Sequence, residues 1–187
     1  MEQKIVYFKN PGKENTEEVF RIAKKRAEEL GIKKILVAST TGETAVKAVT
    51  DLSGFTVIAV SHSTGFRKVD VQAFTEENQK IFKSKGGTLL ITTHAFAGLS
   101  RVMREKFHTY IIGDIIASTL RFFGEGMKVV CEIALMACDC GLVRTDEEVI
   151  SIAGTHSGAD TAVVVKPATT GNTFDLKVKE ILCKPRF

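Results

Sequence analysis

A chain of 187 residues with a net charge of +4, 44% apolar and 26% charged, is expected to form one soluble domain spanning residues 1–187. No apolar run is long enough to cross a bilayer, and Met1-Glu2-Gln3-Lys4 leads into a strand rather than a signal peptide, so a cytoplasmic protein without membrane contact is expected. The basic residues are scattered rather than gathered into a stripe with aromatics, which argues against nucleic acid as a partner.

Ile5-Val6-Tyr7-Phe8 reads as a strand and Asn10-Pro11-Gly12 as a turn. Thr16, backed by Glu17 and Glu18, opens a helix to Leu30 that Gly31 closes, with Val19, Phe20, Ala23, Ala27 and Leu30 on one face. Ile35-Leu36-Val37-Ala38 is a strand. The polar run Ser39-Thr40-Thr41-Gly42-Glu43-Thr44 then leads into a helix burying Ala45, Ala48, Val49 and Leu52. Val57-Ile58-Ala59-Val60 is a strand, Thr75 to Lys85 a helix and Leu89-Leu90-Ile91 a strand. Residues from about Ile111 to Phe123 and from Met127 to Cys140 read as two largely buried helices, the second closed by Gly141. Val149-Ile150-Ser151-Ile152 and Thr161-Ala162-Val163-Val164-Val165 follow as strands. Phe174, Leu176 and Val178 alternate with Asp175, Lys177 and Lys179, as in a half-solvated antiparallel strand near a sheet edge. Short strands that are apolar throughout, alternating with helices, predict an α/β fold: a three-layer sandwich around a mostly parallel sheet, with antiparallel strands toward the C-terminal end.

Cys131, Cys138, Cys140 and Cys183 form no CxxC pair and no zinc spacing, so reduced core thiols and no metal are expected. Asn and Gln are sparse while Lys and Glu dominate the polar surface, a balance typical of thermophilic proteins.

A strand that turns through hydroxyl residues into a helix N-terminus makes an anion site, because backbone N–H groups, the helix dipole and Ser/Thr hydroxyls converge. Ser39 to Thr44 has this form, with Gly42 free to take positive φ in the tight turn. It lacks the lysine of a Walker loop. The plain alternative is a strand-to-helix turn with Thr41 or Thr44 as N-cap. Two further strands end in Ser61-His62-Ser63-Thr64-Gly65 and Thr92-Thr93-His94, and a fourth leads into Gly154-Thr155-His156-Ser157-Gly158-Ala159-Asp160. If these strands are parallel neighbours, their polar tips share the crevice where open α/β sheets bind ligands. A phosphorylated small molecule is the expected partner, with Ser39–Thr44, Ser61, His62, Gly65, Thr93, His94, Gly154, Thr155, His156 and Ser157 as candidate contacts.

Other reactive groups have plainer readings beside functional ones. His62, His94 and His156 are either turn residues or acid/base groups. Glu132 is better explained by an ion pair with Lys128 one turn earlier than as a catalytic acid. Arg101, Arg104 and Lys106 fit a solvated helix face, and Asp114 and Asp139 have no evident partner. No Gly-x-Ser-x-Gly elbow, GxGxxG or nucleophile–base pair is present, so no catalytic residue is assigned.

The order Ile35–Ala38, Ser39–Thr44, helix, Thr56-Val57-Ile58-Ala59-Val60 resembles the C-terminal, effector-binding domain of pyruvate kinase. The late loop Gly154–Thr161 ahead of a valine-rich strand resembles that domain's second effector loop. Through Gly124-Glu125-Gly126-Met127-Lys128-Val129-Val130-Cys131-Glu132 and on to Gly141, the chain is similar to stand-alone pyruvate kinase α/β-domain-like proteins. The resemblance implies flavin mononucleotide (FMN) as cofactor, its phosphate in the Ser39–Thr44 loop. Glu43 replaces the basic residue expected beside some effector loops, which disfavours a sugar bisphosphate. Pyruvate kinase chemistry lives in a (β/α)₈ barrel of about 250 residues, so pyruvate kinase activity is not expected of 187 residues. Three functions follow: a phosphoryl-ligand-binding domain, a flavin-dependent or phosphate-handling enzyme using the crevice histidines, or a docking partner or homo-oligomer using the two apolar helices.

Overall fold

The computed structural model describes residues 2–186. Its seven strands are β1 (Val6–Phe8), β2 (Lys34–Ala38), β3 (Thr56–His62), β4 (Thr88–Thr92), β5 (Val149–Ala153), β6 (Thr161–Lys166) and β7 (Lys177–Pro185). Its helices are α1 (Thr16–Leu30), α2 (Glu43–Asp51), α3 (Glu76–Ser84), α4 (Gly98–Phe107), α5 (Ile112–Leu120) and α6 (Glu125–Asp139). All strands join one sheet in the order β1-β7-β6-β5-β2-β3-β4. Only β6 runs against its neighbours.

Side-chain alternation along each strand makes three layers. Ile35, Val37, Val57, Ala59, Ile150 and Ile152 face α1, α2 and α3. Leu36, Ile58, Val60, Val163 and Val165 face α6. Continuous burial on both sides explains why these strands carry no polar alternation. The expected three-layer α/β sandwich is the observed fold.

α1 ends at Gly31, whose φ of +70° a side chain would resist, and its amide bonds back to Ala27 and Glu28. α2 begins at Glu43, and its N-cap is Gly42 (φ +100°) rather than Thr41 or Thr44. Neither threonine is needed as a cap because Ser39 Oγ reaches forward to accept from the Ala45 amide at 3.3 Å.

The two apolar helices differ. α6 is buried almost throughout, as expected. α5 is not: Ile112 and Ile115 are more than half exposed, as are Phe122 and Phe123 in the 3₁₀ turn that follows, and only Asp114 and Ala117 of the helix are buried. α5 packs on α6 at the outside of the sandwich, so composition alone overstated its burial. The last strand begins at Lys177, later than its alternation suggested. Phe174 and Asp175 belong to a 3₁₀ turn held by Thr173 Oγ1 donating to Thr170 O. β7 lies beside the edge strand β1.

Candidate functional site

The chain leaves β2 through α2 on one face to reach β3 and β4, then returns along the other face through α6 to β5 on the opposite side of β2. The connections diverge between β2 and β5, and this divergence opens a crevice at the strands' carboxyl ends. Four polar loops meet there, after β5, β2, β3 and β4, around a cleft of about 1000 Å³.

Ser39, Thr40, Thr41, Glu43, Thr44, Ser61, His62, His94, Gly154, Thr155, His156 and Ser157 all line the cleft. Gly42, Gly65 and Thr93 do not. A Cβ on Gly42 would stand 2.4 Å from the Phe74 ring and 2.5 Å from Asn78, so Gly42 faces α3 and serves the backbone turn. Gly65 (φ +85°) turns the exposed loop after β3, and the Thr93 methyl packs toward Gly98.

The β2 loop carries the anion-site geometry. Ser39 Oγ satisfies the third amide of α2, while those of Glu43 and Thr44 are first-turn amides with no intrahelical acceptor. They open at the positive end of the α2 dipole. Glu43 itself is exposed at the rim. Thr40 Oγ1 and His62 Nε2 lie 3.1 Å apart, tying this loop to β3.

An aromatic cluster forms the other half. His62 meets Phe66 edge-on at 4.5 Å and His94 at 4.7 Å, and Phe66 lies 4.5 Å from His94. Burial lowers the His62 imidazole to about 4, helped by His94 and Arg67. Burial also lowers His94, against the pull of Glu132. Both rings are therefore neutral near pH 7. His62 Nδ1 is buried without a hydrogen-bond partner. Arg101 sits 4.9 Å over Phe66 and donates to its carbonyl at 2.8 Å, so it braces the cluster rather than merely facing solvent.

Sequence reasoning missed how these loops are anchored. Glu132, 1% exposed, accepts from the Phe96 amide at 2.9 Å and pairs with Lys128, fixing the β4–α4 loop that carries His94. The ion pair was legible from i,i+4 spacing, but its grip on a distant loop was not. Asp114 pairs with Arg104 and accepts from the Ile111 amide, and Asp139 accepts from the Thr170 amide at 2.8 Å. Asp160, fully buried, accepts from Gly12 N and Thr155 N, each at 2.9 Å, and from Thr161 Oγ1 at 2.7 Å. All four cysteines are free thiols; Cys140 is exposed and the others buried. Among the described residues no group of three or more His, Cys, Asp or Glu is placed to hold a metal. No described helix is long and apolar enough to cross a membrane.

The model of the pyruvate kinase alpha/beta domain matches residues 17–165. The chain belongs to that family. The match contains α2, β2 to β5 and all four cleft loops, in agreement with the resemblance drawn from the sequence. Similar solved structures include Cryptosporidium parvum pyruvate kinase in complex with ADP, at 14% identity and TM-score 0.43, covering 82% of this chain and 24% of that one. A second C. parvum pyruvate kinase structure matches at 12% identity and TM-score 0.41, with coverage of 82% and 23%. O-ureido-L-serine synthase matches at 15% identity and TM-score 0.32, with coverage of 73% and 50%. The chain spans about a quarter of the length of the pyruvate kinases it matches.

Proposed function

We propose that this pyruvate kinase alpha/beta domain binds a phosphorylated small molecule, FMN or another nucleotide, in the cleft, and does not perform pyruvate kinase chemistry. The supporting observation is the coincidence of two first-turn α2 amides without an intrahelical acceptor and the β2-loop hydroxyls with the point where the sheet's connections diverge. In this reading the phosphate lies against Thr40, Thr41, Thr44 and the Thr155 loop, and the body of the ligand points toward His62, Phe66 and His94.

Charge bookkeeping favours a ligand with one anionic end. The basic residues on the α4–α6 side are already neutralised: Arg101 by Glu105, Arg104 by Asp114, Arg121 by Glu125 and Lys128 by Glu132. With two neutral imidazoles beside them, and Arg67 on the exposed turn as the cation of that half left without an ion pair among the described residues, that half suits a planar body of low charge better than a second phosphate. FMN fits these requirements. FMN would bring electron-transfer chemistry of its own.

The test is a thermal-shift series with FMN, riboflavin, AMP and inorganic phosphate. The phosphate-bearing compounds are expected to raise the melting temperature by mass action, FMN most. A melting temperature unmoved by any of them contradicts the proposal.

A second reading has its own support. A neutral imidazole lining a cleft is equipped to accept a proton, which makes His62 a candidate acid/base group in a flavin-dependent or phosphate-handling enzyme. His62→Ala, His94→Ala and His156→Ala separate the readings: turnover that survives in all three removes these histidines from any mechanism.

A further inference from the structure

The loop after β2 offers amides and hydroxyls but no cation. A phosphate monoester carries between one and two negative charges at neutral pH, more than a helix N-terminus of about half a charge compensates. Of the Lys and Arg side chains lining the cleft, Lys47 pairs with Glu17 and Asp51, and the four on the α4–α6 side are paired as described. Lys13 and Arg67 remain, with no hydrogen bond or ion pair on either side chain among the described residues.

The two free cations are held differently. Arg67 sits on the exposed turn between β3 and α3. Lys13 follows Gly12, whose amide is tethered to the buried Asp160 carboxylate that also holds the Thr155 amide. Thr16 Oγ1, a turn further on, accepts from the Ala159 amide at 3.0 Å. The backbones touch: a Cβ on Gly158 would fall 2.4 Å from the Lys13 Cα. Lys13 therefore borders both the cleft and an adjoining groove of about 660 Å³, beside Thr155, His156 and Ser157. Thr155 Oγ1 in this loop is buried and lacks a hydrogen-bond partner. Glu14 and Glu17 share the groove, but Glu17 is engaged by Lys47 at 3.1 Å.

We infer that Lys13 supplies the cation for the phosphate, closing the anion site between the N-terminus of α2 and the Thr155 loop. This rests on the phosphoryl-ligand reading above. Lys13 lies outside the residues 17–165 that match the family, so the role belongs to this chain and not to the match. A cation delivered from the β1–α1 loop, on the pair of loops that Asp160 clamps together, answers the absence of a lysine in the β2 loop.

The test is calorimetric titration of inorganic phosphate, FMN and riboflavin into the wild type, Lys13→Met, Arg67→Met and Lys33→Met at low salt. Lys33 precedes β2 at the opposite end of the sheet and controls for net charge alone. Loss of a charge-assisted hydrogen bond predicts that Lys13→Met weakens phosphate and FMN by roughly 10- to 100-fold while leaving riboflavin unchanged. Arg67→Met and Lys33→Met are expected to change affinity by less than about 3-fold. Lys13 is exposed, and an unchanged melting curve for Lys13→Met shows that the variant is folded. Wild-type binding that Lys13→Met leaves intact overturns the role of Lys13 while keeping the phosphate site. A loss in Arg67→Met instead also overturns it, moving the cation to the other flank. A wild type that binds neither phosphate nor FMN removes the underlying reading and this inference with it.

Discussion

Lys128→Met tests whether the cleft floor is built as described. Lys128 is 6% exposed and Glu132 1%, on a helix whose other inward positions are apolar. Removing one member of a buried pair strands the other as an uncompensated charge, at a cost of about 3–5 kcal/mol. For a domain of this size each kcal/mol lowers the melting temperature by about 2–4 °C, so a fall of about 6–20 °C is expected. The double variant Lys128→Met/Glu132→Gln separates stranded charge from lost packing. Glutamine keeps an oxygen for the Phe96 amide, now bonded to Glu132 Oε1, while removing the charge. The double variant should recover more than half of the loss. Urea unfolding followed by circular dichroism supplies both free energies. The reasoning fails if Lys128→Met lies within about 1 kcal/mol of the wild type, since no truly buried pair is that cheap to break. It fails equally if the double variant is no more stable than the single one.

Three further outcomes follow from the same geometry. Gly42→Val forces a side chain into the Phe74 ring at a φ of +100°, so it should cost upward of about 2 kcal/mol and weaken binding by displacing the β2 loop; an unchanged thermal melt contradicts that placement. The His62 imidazole should titrate near 4 by NMR: its folded value lies below the usual 6.5, so the unfolded chain binds more protons between those values, and stability falls as pH drops from about 6.5 to about 4. In His62→Gln that part of the slope should vanish, whereas a wild-type midpoint above 6 would show an open, hydrated ring. Asp160→Ala should speed hydrogen exchange at the Gly12 and Thr155 amides together, because one carboxylate oxygen holds both; acceleration at only one would separate the two loops.

The sheet was legible because its signal is local. Short apolar runs such as Ile35–Ala38 and Thr161–Val165 stand between helix signatures, and Gly31 and Gly141 mark helix ends without tertiary help. The convergence of polar strand tips was legible too, given only that β2, β3 and β4 are parallel neighbours. Long-range partnership was not. Nothing near Asp160 points to Gly12, 148 residues away, and nothing near Lys13 points to Gly158. The burial of α5 was misjudged because composition does not say whether anything covers an apolar helix packed outside the sandwich, and here Ile112 and Ile115 are left exposed. Gly42 was read as the residue that permits the tight turn, and its φ of +100° agrees, but nothing local showed that the space it keeps clear belongs to Phe74.

The most direct measurement is the absorption spectrum of freshly purified protein, followed by mass spectrometry of whatever acid releases from it. The account predicts a phosphorylated molecule in near-stoichiometric amount, with flavin bands near ~375 and ~450 nm if it is FMN. A protein that releases no phosphorylated compound, and then takes up none of the nucleotides or phosphate offered to it, would contradict the claim that this cleft is a phosphoryl-ligand site.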